Sequence, residues 1–519
     1  MPEFAEQTLR TLATVADVKK YRGHVMNWYD TRTLQPLPPL FVSSVDSGNL
    51  LASLWTLEHG CLARLRQPVL QPALAEGFVD YLRVLATARA IPRKVLSSCE
   101  RQHTTDHWLQ SILGVPEGVL EQARQNVAKS KVASRASWFA EETSLRLFSI
   151  QRTVRDYAPW FAPEFAALRD NVTLNLKLMD SIALEQLPEF IDKLVIQLDW
   201  MLHSVNQDER ALYERFRDQL NSAKSNAKRL IADLRAIAAQ SEKLADEMDF
   251  KFLLNPHRRL VSVGFDVDAR QLNSACYDLL GTESRTAVFG AIAKEDIPQE
   301  SWFLLGRAHT LDGGRPVLLS WTGTLFEYLM PSLWMRSYSN TLLDRMCTAC
   351  VRSQQAYGNR KNVPWGISES AYFKLDEAGN YQYSAFGLPH LALRKCETKA
   401  LVISPYSTFL SLSTDPEGAI ENLHRMDDMG WFGSYGFYES ADFTSVRRKL
   451  WQDRYQLVRC WMVHHQGMSL LALANFLQDN IVQEWFHADR RVQATELLLH
   501  EKPVAYVRRR DLPRRTAVA

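Results

Sequence analysis

Apolar side chains in residues 61 to about 250 recur at helical spacing. Late in this region they stand three, four, six or seven positions apart, at Leu212, Phe216, Leu220, Ala227, Leu230, Leu234, Ala238 and Leu244. Such a stripe predicts a long amphipathic helix with one face against a core. We therefore predict a layer of long helices over residues 61–250, in which the stripe serves packing.

The pattern changes from about residue 251 onward, where shorter apolar segments alternate with turns rich in Gly, Pro, Ser and Tyr. These segments predict helices at 269–280, 284–294, 325–335, 338–357, 415–429 and 463–477. Strand-like segments are few, with 258–264 and 316–321 as examples. Residues 1–60 are aromatic and polar. Medium helices joined by aromatic, glycine-rich loops are typical of an all-α barrel whose loops gather at one mouth.

Composition indicates an ordinary soluble globular chain, with 46% hydrophobic and 23% charged residues among 519. No apolar run approaches the roughly 20 residues that a membrane-spanning helix needs, and no export signal is present at the N-terminus. The net charge of +2 gives no field that would attract nucleic acid. The arginines of the last dozen residues, from Arg508 to Arg515, are interpreted as a solvated tail.

The seven cysteines are scattered and odd in number, which argues against a disulfide framework and for a reducing compartment. Cys347 and Cys350 form a CxxC inside a predicted helix, with no second CxxC in the chain. We interpret them as helix-packing thiols and not as a redox or zinc site.

Motifs for nucleotide and metal chemistry are missing. The sequence has no GxxxxGK[ST], no GxGxxG after a strand and no HExxH, so neither a cofactor nor a metal site is predicted. The adjacent His464 and His465 face different sides of a predicted helix, which is a poor arrangement for binding one metal ion.

Four glutamates recur in loops beside aromatic and small residues: Glu283, Glu327, Glu369 and Glu439. Sugar rings present apolar faces and hydroxyl edges, so a glycan site combines aromatic platforms with carboxylates. Glycoside chemistry needs two carboxyl groups, one to protonate the leaving oxygen and one to act as nucleophile or base. Aromatic neighbours raise the pKa of the acid by desolvation, whereas an adjacent guanidinium, such as Arg285 beside Glu283, lowers the pKa of the nucleophile.

Each of these glutamates also has an ordinary structural interpretation, because an aromatic-flanked Glu can cap a helix or pair with a buried Arg. Carbohydrate chemistry is favoured by their co-occurrence with loops containing Asn, Gln, Tyr and Trp, in a chain with 14 Trp and 17 Tyr. A catalytically silent glycan-binding module remains an alternative at this point.

At these same segments the sequence resembles the cyclisation (transglycosylase) domain of bacterial cyclic β-1,2-glucan synthases, which is related to the endo-β-1,2-glucanases. The resemblance extends through nearly the whole chain and is strongest at residues 27–34, 45–50, 326–331, 364–372, 380–383, 435–439 and 464–469. The family fold is an (α/α)6 toroid. Together with the residue pattern, this implies that residues 1–60 and 251–519 form the catalytic barrel and that residues 61–250 form an added layer of helices.

The resemblance implies anomer-retaining attack within a linear β-1,2-glucan, with the glycosyl-enzyme released by the far hydroxyl of the same chain to close a ring. The catalytic carboxylates of the family match Glu283, the implied nucleophile, and Glu369, the implied acid/base. Substrate contacts are expected from Trp28, Tyr29, Asp30, Arg32, Asp46, Arg285, Glu327, Trp365, Tyr372, Tyr383 and Glu439. Hydrolysis as in an endo-β-1,2-glucanase is the nearest alternative, since the two reactions differ in whether water reaches the glycosyl-enzyme.

Two departures from the family affect these expectations. The family usually reads Ser-Glu-Ala-Arg where this chain reads Thr282-Glu283-Ser284-Arg285, which keeps both Glu and Arg. The family also normally embeds this domain in a large membrane protein with a glycosyltransferase and a phosphorylase-like domain. Because neither is found in this sequence, only the cyclising or disproportionating step is expected, in the cytoplasm or at the cytoplasmic face of the inner membrane.

Overall fold

A computed structural model describes residues 1–102, 107–128, 133–169, 171, 174, 176, 182–203, 207–394, 400–444 and 455–503. The arginine-rich tail from Arg508 to Arg515 and Cys396 lie outside these residues. Two compact units are present: Met1–Thr11 with Cys61–Ala238, and Leu12–Gly60 with Ala239–Ala519. The division differs from the predicted one because residues 1–11 group with the middle of the chain and because the second boundary falls at 238 instead of 250.

Helices make up most of the described chain, which confirms the predicted all-α class. The α-helices are α1 (Pro2–Asp17), α2 (Ser44–Leu65), α3 (Ala73–Thr87), α4 (Arg93–Gln102), α5 (Trp108–Leu113), α6 (Glu117–Ala128), α7 (Ala133–Tyr157), α8 (Leu187–Leu202), α9 (Gln207–Glu247), α10 (Arg285–Ala293), α11 (Glu300–Leu304), α12 (Leu325–Leu329), α13 (Leu342–Lys361), α14 (Pro405–Leu410), α15 (Pro416–Asp428), α16 (Val463–Leu477), α17 (Ile481–Phe486) and α18 (Arg490–Thr495). None of the helices in the described part of the chain is long and apolar enough to span a bilayer.

The strands are short: β1 (Phe41–Ser43), β2 (Leu254–Asn255), β3 (Leu260–Val261), β4 (Gly264–Asp266), β5 (Gln271–Leu272), β6 (His309–Asp312), β7 (Arg315–Leu318), β8 (Ser370–Leu375), β9 (Tyr381–Ser384), β10 (Val402–Ile403), β11 (Phe432–Gly433), β12 (Gly436–Phe437), β13 (Ser440–Asp442) and β14 (Gln456–Val458). Two sheets have three strands, in the orders β1-β4-β5 and β10-β13-β14. The other strands pair as two-stranded antiparallel ladders, β2 with β3, β6 with β7, β8 with β9 and β11 with β12.

The first unit is built from long helices packed through apolar faces. Helix α3 buries Ala75, Phe78, Val79, Leu82 and Leu85, which lie on one face of the helix. The stripe predicted along α9 is buried from Phe216 onward, and Phe216, Leu220 and Leu234 have no exposed surface. Because a fully buried side chain of this size contributes about 1.5–3 kcal/mol, this stripe is a principal source of stability in the unit.

Most predicted helices of the second unit are present, and their ends follow ordinary capping. Helix α13 begins after Thr341, whose side chain accepts a hydrogen bond from Asp344 N, and it ends at Asn362 in the left-handed region. The predicted helix at 269–280 is wrong, since this segment holds β5 and a series of turns. Asn273 accounts for the difference: its Oδ1 accepts from Ala275 N at 2.9 Å, a local bond that competes with helix formation.

The CxxC cysteines lie inside α13, where Cys347 and Cys350 are both buried free thiols. Burial raises the pKa of each thiol above its usual value. Buried neutral thiols behave as small apolar side chains. Their interpretation as helix-packing residues is confirmed.

Candidate active site

A cavity of about 900 Å³ lies in the second unit and draws its walls from distant parts of the sequence. The loop before β1, the first turn of α2, the turn before α10, helix α12, the residue before β8 and the start of α16 all contribute. Both predicted catalytic residues, Glu283 and Glu369, line it, together with the predicted contacts Trp28 and Asp46. A concave site of this size lined by two carboxyl groups has the usual form of an enzyme active site.

Glu283 is carried by a tight turn at the start of α10. The chain before it runs beside Ser320, which forms a parallel bridge with Gly281. A Cβ at position 281 would lie 2.8 Å from the Leu319 carbonyl oxygen, so glycine permits this close approach. Thr282 Oγ1 then donates a hydrogen bond to Glu283 Oε2 at 3.1 Å. The turn thus fixes the carboxyl group at the cavity wall.

Burial raises the pKa of Glu283 to about 8, and the negative charges of Glu327 and Glu369 add to this rise. The charge of Arg285 attracts that of Glu283, but burial outweighs this attraction. The Arg285 guanidinium donates to the carbonyl oxygens of Leu280 at 2.9 Å and Tyr328 at 2.7 Å. The Arg285 side chain is also 2% exposed. The expectation that Arg285 keeps Glu283 ionised is therefore wrong, and its placement beneath the turn indicates a structural role instead of a substrate contact.

Glu369 precedes strand β8 and follows a backbone kink. Gly366 has a φ of +125°, which L-residues rarely adopt, and Ser404 N donates a hydrogen bond to its carbonyl oxygen at 2.9 Å. Tyr383, on the paired strand β9, donates its hydroxyl to Glu369 Oε1 at 2.9 Å. Burial raises the pKa of Glu369, while the hydrogen bond from the Tyr383 hydroxyl lowers it.

Glu327 is a helix cap, which corrects its predicted place on the wall of the cleft. It forms a capping box with Thr324 at the start of α12. Its carboxylate accepts from the Ser320 hydroxyl at 2.9 Å, from Thr322 N at 3.0 Å and from Thr324 N at 2.9 Å. Glu327 is 5% exposed, and these donors already use the acceptor positions of its carboxylate. Glu327 is therefore a structural helix cap.

Glu439 is also buried and paired, which corrects its predicted role in direct substrate contact. His465 Nδ1 lies 2.9 and 3.0 Å from its two carboxylate oxygens, and Ala371 N donates to Oε1 at 3.1 Å. The side chains of Glu439 and His465 are 1% and 2% exposed. The pair stands directly behind Tyr383, whose hydroxyl is 3.3 Å from His465 Nε2.

The N-terminal aromatic segment divides into one cavity residue and several turn residues. Trp28 is 50% exposed and lines the cavity. Tyr29 donates its hydroxyl to Lys19 O at 2.8 Å, and Asp30 Oδ1 accepts from the backbone of Arg32 and Thr33 at 2.8 and 2.9 Å. Tyr29 and Asp30 therefore shape the loop that presents Trp28. Substrate contact by Tyr29, Asp30 or Arg32 stays a prediction.

Trp365 and Tyr372 support the Glu369 segment from outside the cavity. Trp365 is 7% exposed, and its backbone is bracketed by Asn422, which accepts from Trp365 N and donates to Trp365 O. Tyr372 donates its hydroxyl to Gln382 at 2.6 Å across the β8–β9 ladder. The burial of Trp365 argues against its predicted substrate contact, while substrate contact by Tyr372 stays a prediction.

Some lining residues were not among the predicted site residues, namely Tyr277, Trp334 and His464. Burial raises the pKa of Tyr277 well above its usual value, and the negative charge of Glu283 makes the largest electrostatic contribution to this rise. The signal for Tyr277 was its position six residues before Glu283, in a segment mistaken for a helix. The sequence indicates no role for the adjacent histidines, whereas His464 lines the cavity and His465 binds Glu439.

Away from the cavity, one group in the described part of the chain has side chains close enough to share a metal ion: Glu58, His59 and Asp489. The guanidinium of Arg491 already contacts the Asp489 carboxylate at 2.6 Å. This fixed positive charge opposes a bound cation at the same carboxylate.

The sequence is similar to part of one known protein and to one family model. Over 514 residues, which cover 97% of this chain and 16% of the relative, the sequence is 34% identical to the cyclic β-(1,2)-glucan synthase NdvB of Rhizobium meliloti. The chain is homologous to one part of a cyclic β-(1,2)-glucan synthase. Residues 282–490, which include Glu283, Glu369 and Glu439, also match the Glycoamylase family model. The resemblance found in the sequence is confirmed.

Solved structures of two glucanases are similar at low identity. A β-1,2-glucanase from Parabacteroides distasonis is 12% identical with a TM-score of 0.42, and the match covers 88% of this chain and 60% of that one. An endo-β-1,2-glucanase from Talaromyces funiculosus, in complex with sophorose, is 11% identical with a TM-score of 0.41, over 96% and 89% of the two chains. Scores of this size add nothing to the assignment, which depends on the sequence match.

Proposed function

We propose that this chain is an anomer-retaining transglycosylase that acts on linear β-1,2-glucan and closes it into a ring. The observation that carries the proposal is that Glu283 and Glu369 line one cavity, in a chain homologous to part of a cyclic β-(1,2)-glucan synthase. In a retaining reaction, one carboxylate attacks the anomeric carbon while the other protonates the glycosidic oxygen. A hydroxyl at the far end of the same glucan then displaces the enzyme carboxylate.

Within this proposal Glu283 is the nucleophile and Glu369 the acid/base. Burial raises the pKa of both carboxyl groups, that of Glu283 to about 8, so the pair holds a proton at neutral pH. The first step uses that proton on Glu369. The Tyr383 hydroxyl can serve Glu369 as donor or as acceptor, which suits a residue that gives up a proton and later takes one back.

Trp28 is the proposed platform for a glucose ring. Its half-exposed indole lines the same cavity as the two carboxyl groups. An indole offers a large, rigid apolar surface that fits the apolar face of a sugar. Asp46, at the first turn of α2 and exposed on the same wall, supplies acceptors for sugar hydroxyls.

The activity test is incubation of the protein with linear β-1,2-glucan, followed by counting reducing ends and measuring product masses. Rings without reducing ends support the proposal, whereas a steady rise in reducing ends identifies an endo-hydrolase. Glu283→Gln and Glu369→Gln should each abolish turnover and leave glucan binding intact. Binding without any turnover by the unaltered protein would identify a silent binding module and overturn the proposal.

Azide rescue separates the two roles. Azide is a small nucleophile that can enter a space left by a removed carboxylate. With Glu283→Ala, attack from the vacated nucleophile side should give an α-glycosyl azide. With Glu369→Ala, the glycosyl-enzyme still forms on an activated substrate, so azide should give a β-glycosyl azide. The reverse pair of products would exchange the two assignments.

We also propose that the chain works as one domain of a larger synthase at the cytoplasmic face of the inner membrane. In support, it spans 16% of the length of the curated relative that it matches. Sedimentation of the activity with the inner membrane in cell extracts would support this placement. Recovery of the full activity in the soluble fraction would contradict it.

A further inference from the structure

Behind the cavity wall, Glu439 and His465 form a buried hydrogen-bonded pair. Glu439 and His465 are almost fully buried, and burial of charged groups is costly unless they are paired. A carboxylate can only accept hydrogen bonds, so the contacts of 2.9 and 3.0 Å from Glu439 to His465 Nδ1 assign a proton to Nδ1. In the neutral ring, Nε2 is therefore left as an acceptor.

The ring of His465 is held in one orientation. Tyr406 stacks on it with a centroid distance of 3.7 Å and an interplanar angle of 8°. Tyr406 is itself fixed, because its hydroxyl donates to Glu369 O at 2.9 Å. Nε2 is consequently directed at the Tyr383 hydroxyl, 3.3 Å away.

The Tyr383 hydroxyl stands between two possible acceptors. Glu369 Oε1 lies 2.9 Å from it on one side and His465 Nε2 lies 3.3 Å from it on the other. A phenol has one proton to donate and lone pairs with which to accept. It can therefore donate to only one of the two groups at a time, and the protonation of Glu369 decides which.

We propose that Tyr383 is a positioning residue for Glu369, and that the Glu439–His465 pair orients its hydroxyl so that it switches acceptor during the reaction. When Glu369 is protonated, its O–H donates to Tyr383 Oη, and the Tyr383 hydroxyl donates to His465 Nε2. When the Glu369 proton has left with the glycosidic oxygen, the Tyr383 hydroxyl donates to the Glu369 carboxylate. The attacking sugar hydroxyl later returns one proton to Glu369, and the first arrangement is restored without proton transfer to His465.

This inference rests on the proposed function, because it gives Glu369 the acid/base role. Other titratable groups face the same region and contribute to its electrostatics: Asp46, Tyr277, Glu283, Glu327, Tyr406 and His464. Tyr406 stacks on the His465 ring and bonds to the Glu369 backbone carbonyl, whereas the Tyr383 hydroxyl lies between the Glu369 carboxyl group and His465 Nε2. Substitution of Tyr383 therefore isolates the switch from this background.

The kinetic test is the pH profile of Tyr383→Phe with linear β-1,2-glucan. Loss of a hydrogen bond to the carboxylate form raises the pKa of Glu369, so the alkaline limb of kcat/KM should move up by about one pH unit. We expect kcat to fall about 10-fold, with KM within about 2-fold, because the lost bond forms after binding. Tyr338→Phe is the matched control, since it removes a hydroxyl from another carboxylate, that of Glu496. An unmoved alkaline limb in Tyr383→Phe overturns the inference.

A second measurement does not need turnover. In protein labelled with ¹⁵N-histidine, with the His465 signal identified by its absence in His465→Asn, the Nε2 shift should move with pH as Glu369 titrates. Tyr383→Phe and Glu369→Gln should each abolish this movement, since one removes the bridge and the other the titrating group. If the movement is seen but the protein does not convert glucan, the proposed function fails and the switch stands. If glucan is converted but the pH-dependent movement of the His465 signal is the same in both variants as in the unaltered protein, the switch is contradicted.

Discussion

His24 Nε2 lies 2.8 Å from the carbonyl oxygen of Asp249, and this bond joins the segment before α2 to the segment after α9. A carbonyl can only accept, so Nε2 carries the proton and Nδ1 accepts from the Ser47 hydroxyl at 2.9 Å. Burial lowers the pKa of His24 to about 4. The His24 ring is therefore neutral and links Ser47 to Asp249 by hydrogen bonds inside the second unit, close to the wall of the cavity.

The neutral state of His24 predicts a loss of stability in mild acid. Its folded pKa of about 4 is below the ordinary value of about 6.5, so the unfolded chain binds more protons between these values. The contribution is full above about pH 6.5 and is lost as the pH falls towards 4. His24→Gln should cost about 1–3 kcal/mol at pH 7, and this cost should shrink at pH 5.

Urea unfolding of both proteins at pH 7 and pH 5 measures this effect. His257→Gln, at an exposed position, is the control and should match the unaltered protein at both values. An equal cost of His24→Gln at the two pH values would contradict the neutral assignment.

Glu283 predicts the opposite dependence on pH. Its folded pKa of about 8 is above the ordinary value of about 4.3, so the folded chain binds more protons between these values. Stability should fall as the pH rises from about 5 to 8. Glu283→Gln keeps the shape without the charge and should raise the unfolding free energy at pH 8 by about 1 kcal/mol or more.

Thermal unfolding of Glu283→Gln and of the unaltered protein across this range tests the sign. The two melting temperatures should converge near pH 5 and separate as the pH rises. A variant that is less stable than the unaltered protein at pH 8 would contradict the burial of a carboxyl group at this position.

The cap at Glu327 predicts a structural and not a catalytic defect. Its carboxylate accepts hydrogen bonds from hydroxyl and backbone N–H groups of the turn between Ser320 and Thr324. Glu327→Ala leaves these buried donors unpaired, so it should cost about 2–4 kcal/mol of stability. Glu377→Ala, in the exposed turn after β8, is the control. Denaturant unfolding measures the difference, and a cost equal to that of the control would contradict the cap.

Sequence patterns were sufficient where one local rule governs the structure. The α9 stripe predicted a buried helix face, since Phe216 and Leu220 repeat at the helical period. Sequence patterns gave a wrong helix at 269–280. There the Asn273 side chain accepts a hydrogen bond from the backbone of Ala275, and the spacing of apolar residues carries no information about such local bonds.

The glutamates could be found in the sequence but could not be sorted by it. Glu283 and Glu327 both stand next to aromatic or small residues, yet one lines the cavity and the other caps α12. The difference lies in which distant segments pack against each turn. Tyr277 was missed for the same reason, since its neighbourhood is created by tertiary packing. The family resemblance selected Glu283 and Glu369, because the roles of matching residues are known from related folded proteins. Residue spacing alone carries no such information.

Trp28 gives the last prediction, which concerns binding. Its indole is half exposed at the cavity, so truncation should remove sugar contact without opening a hole in the core. A loss of about 1.4 kcal/mol in contact energy is a 10-fold change in affinity. Trp28→Ala should therefore raise KM for linear β-1,2-glucan about 10-fold and leave kcat within about 2-fold. Trp28→Phe should recover part of the loss.

Trp200→Ala is the matched control, because Trp200 is 72% exposed on α8 in the first unit. Its kinetics should equal those of the unaltered protein, as should its melting temperature. If Trp28→Ala lowers kcat as strongly as it raises KM, the indole holds the reacting sugar in its transition-state position and is not a remote platform. If neither constant changes, glucan does not pass over Trp28, and the loop before β1 must be removed from the proposed binding path.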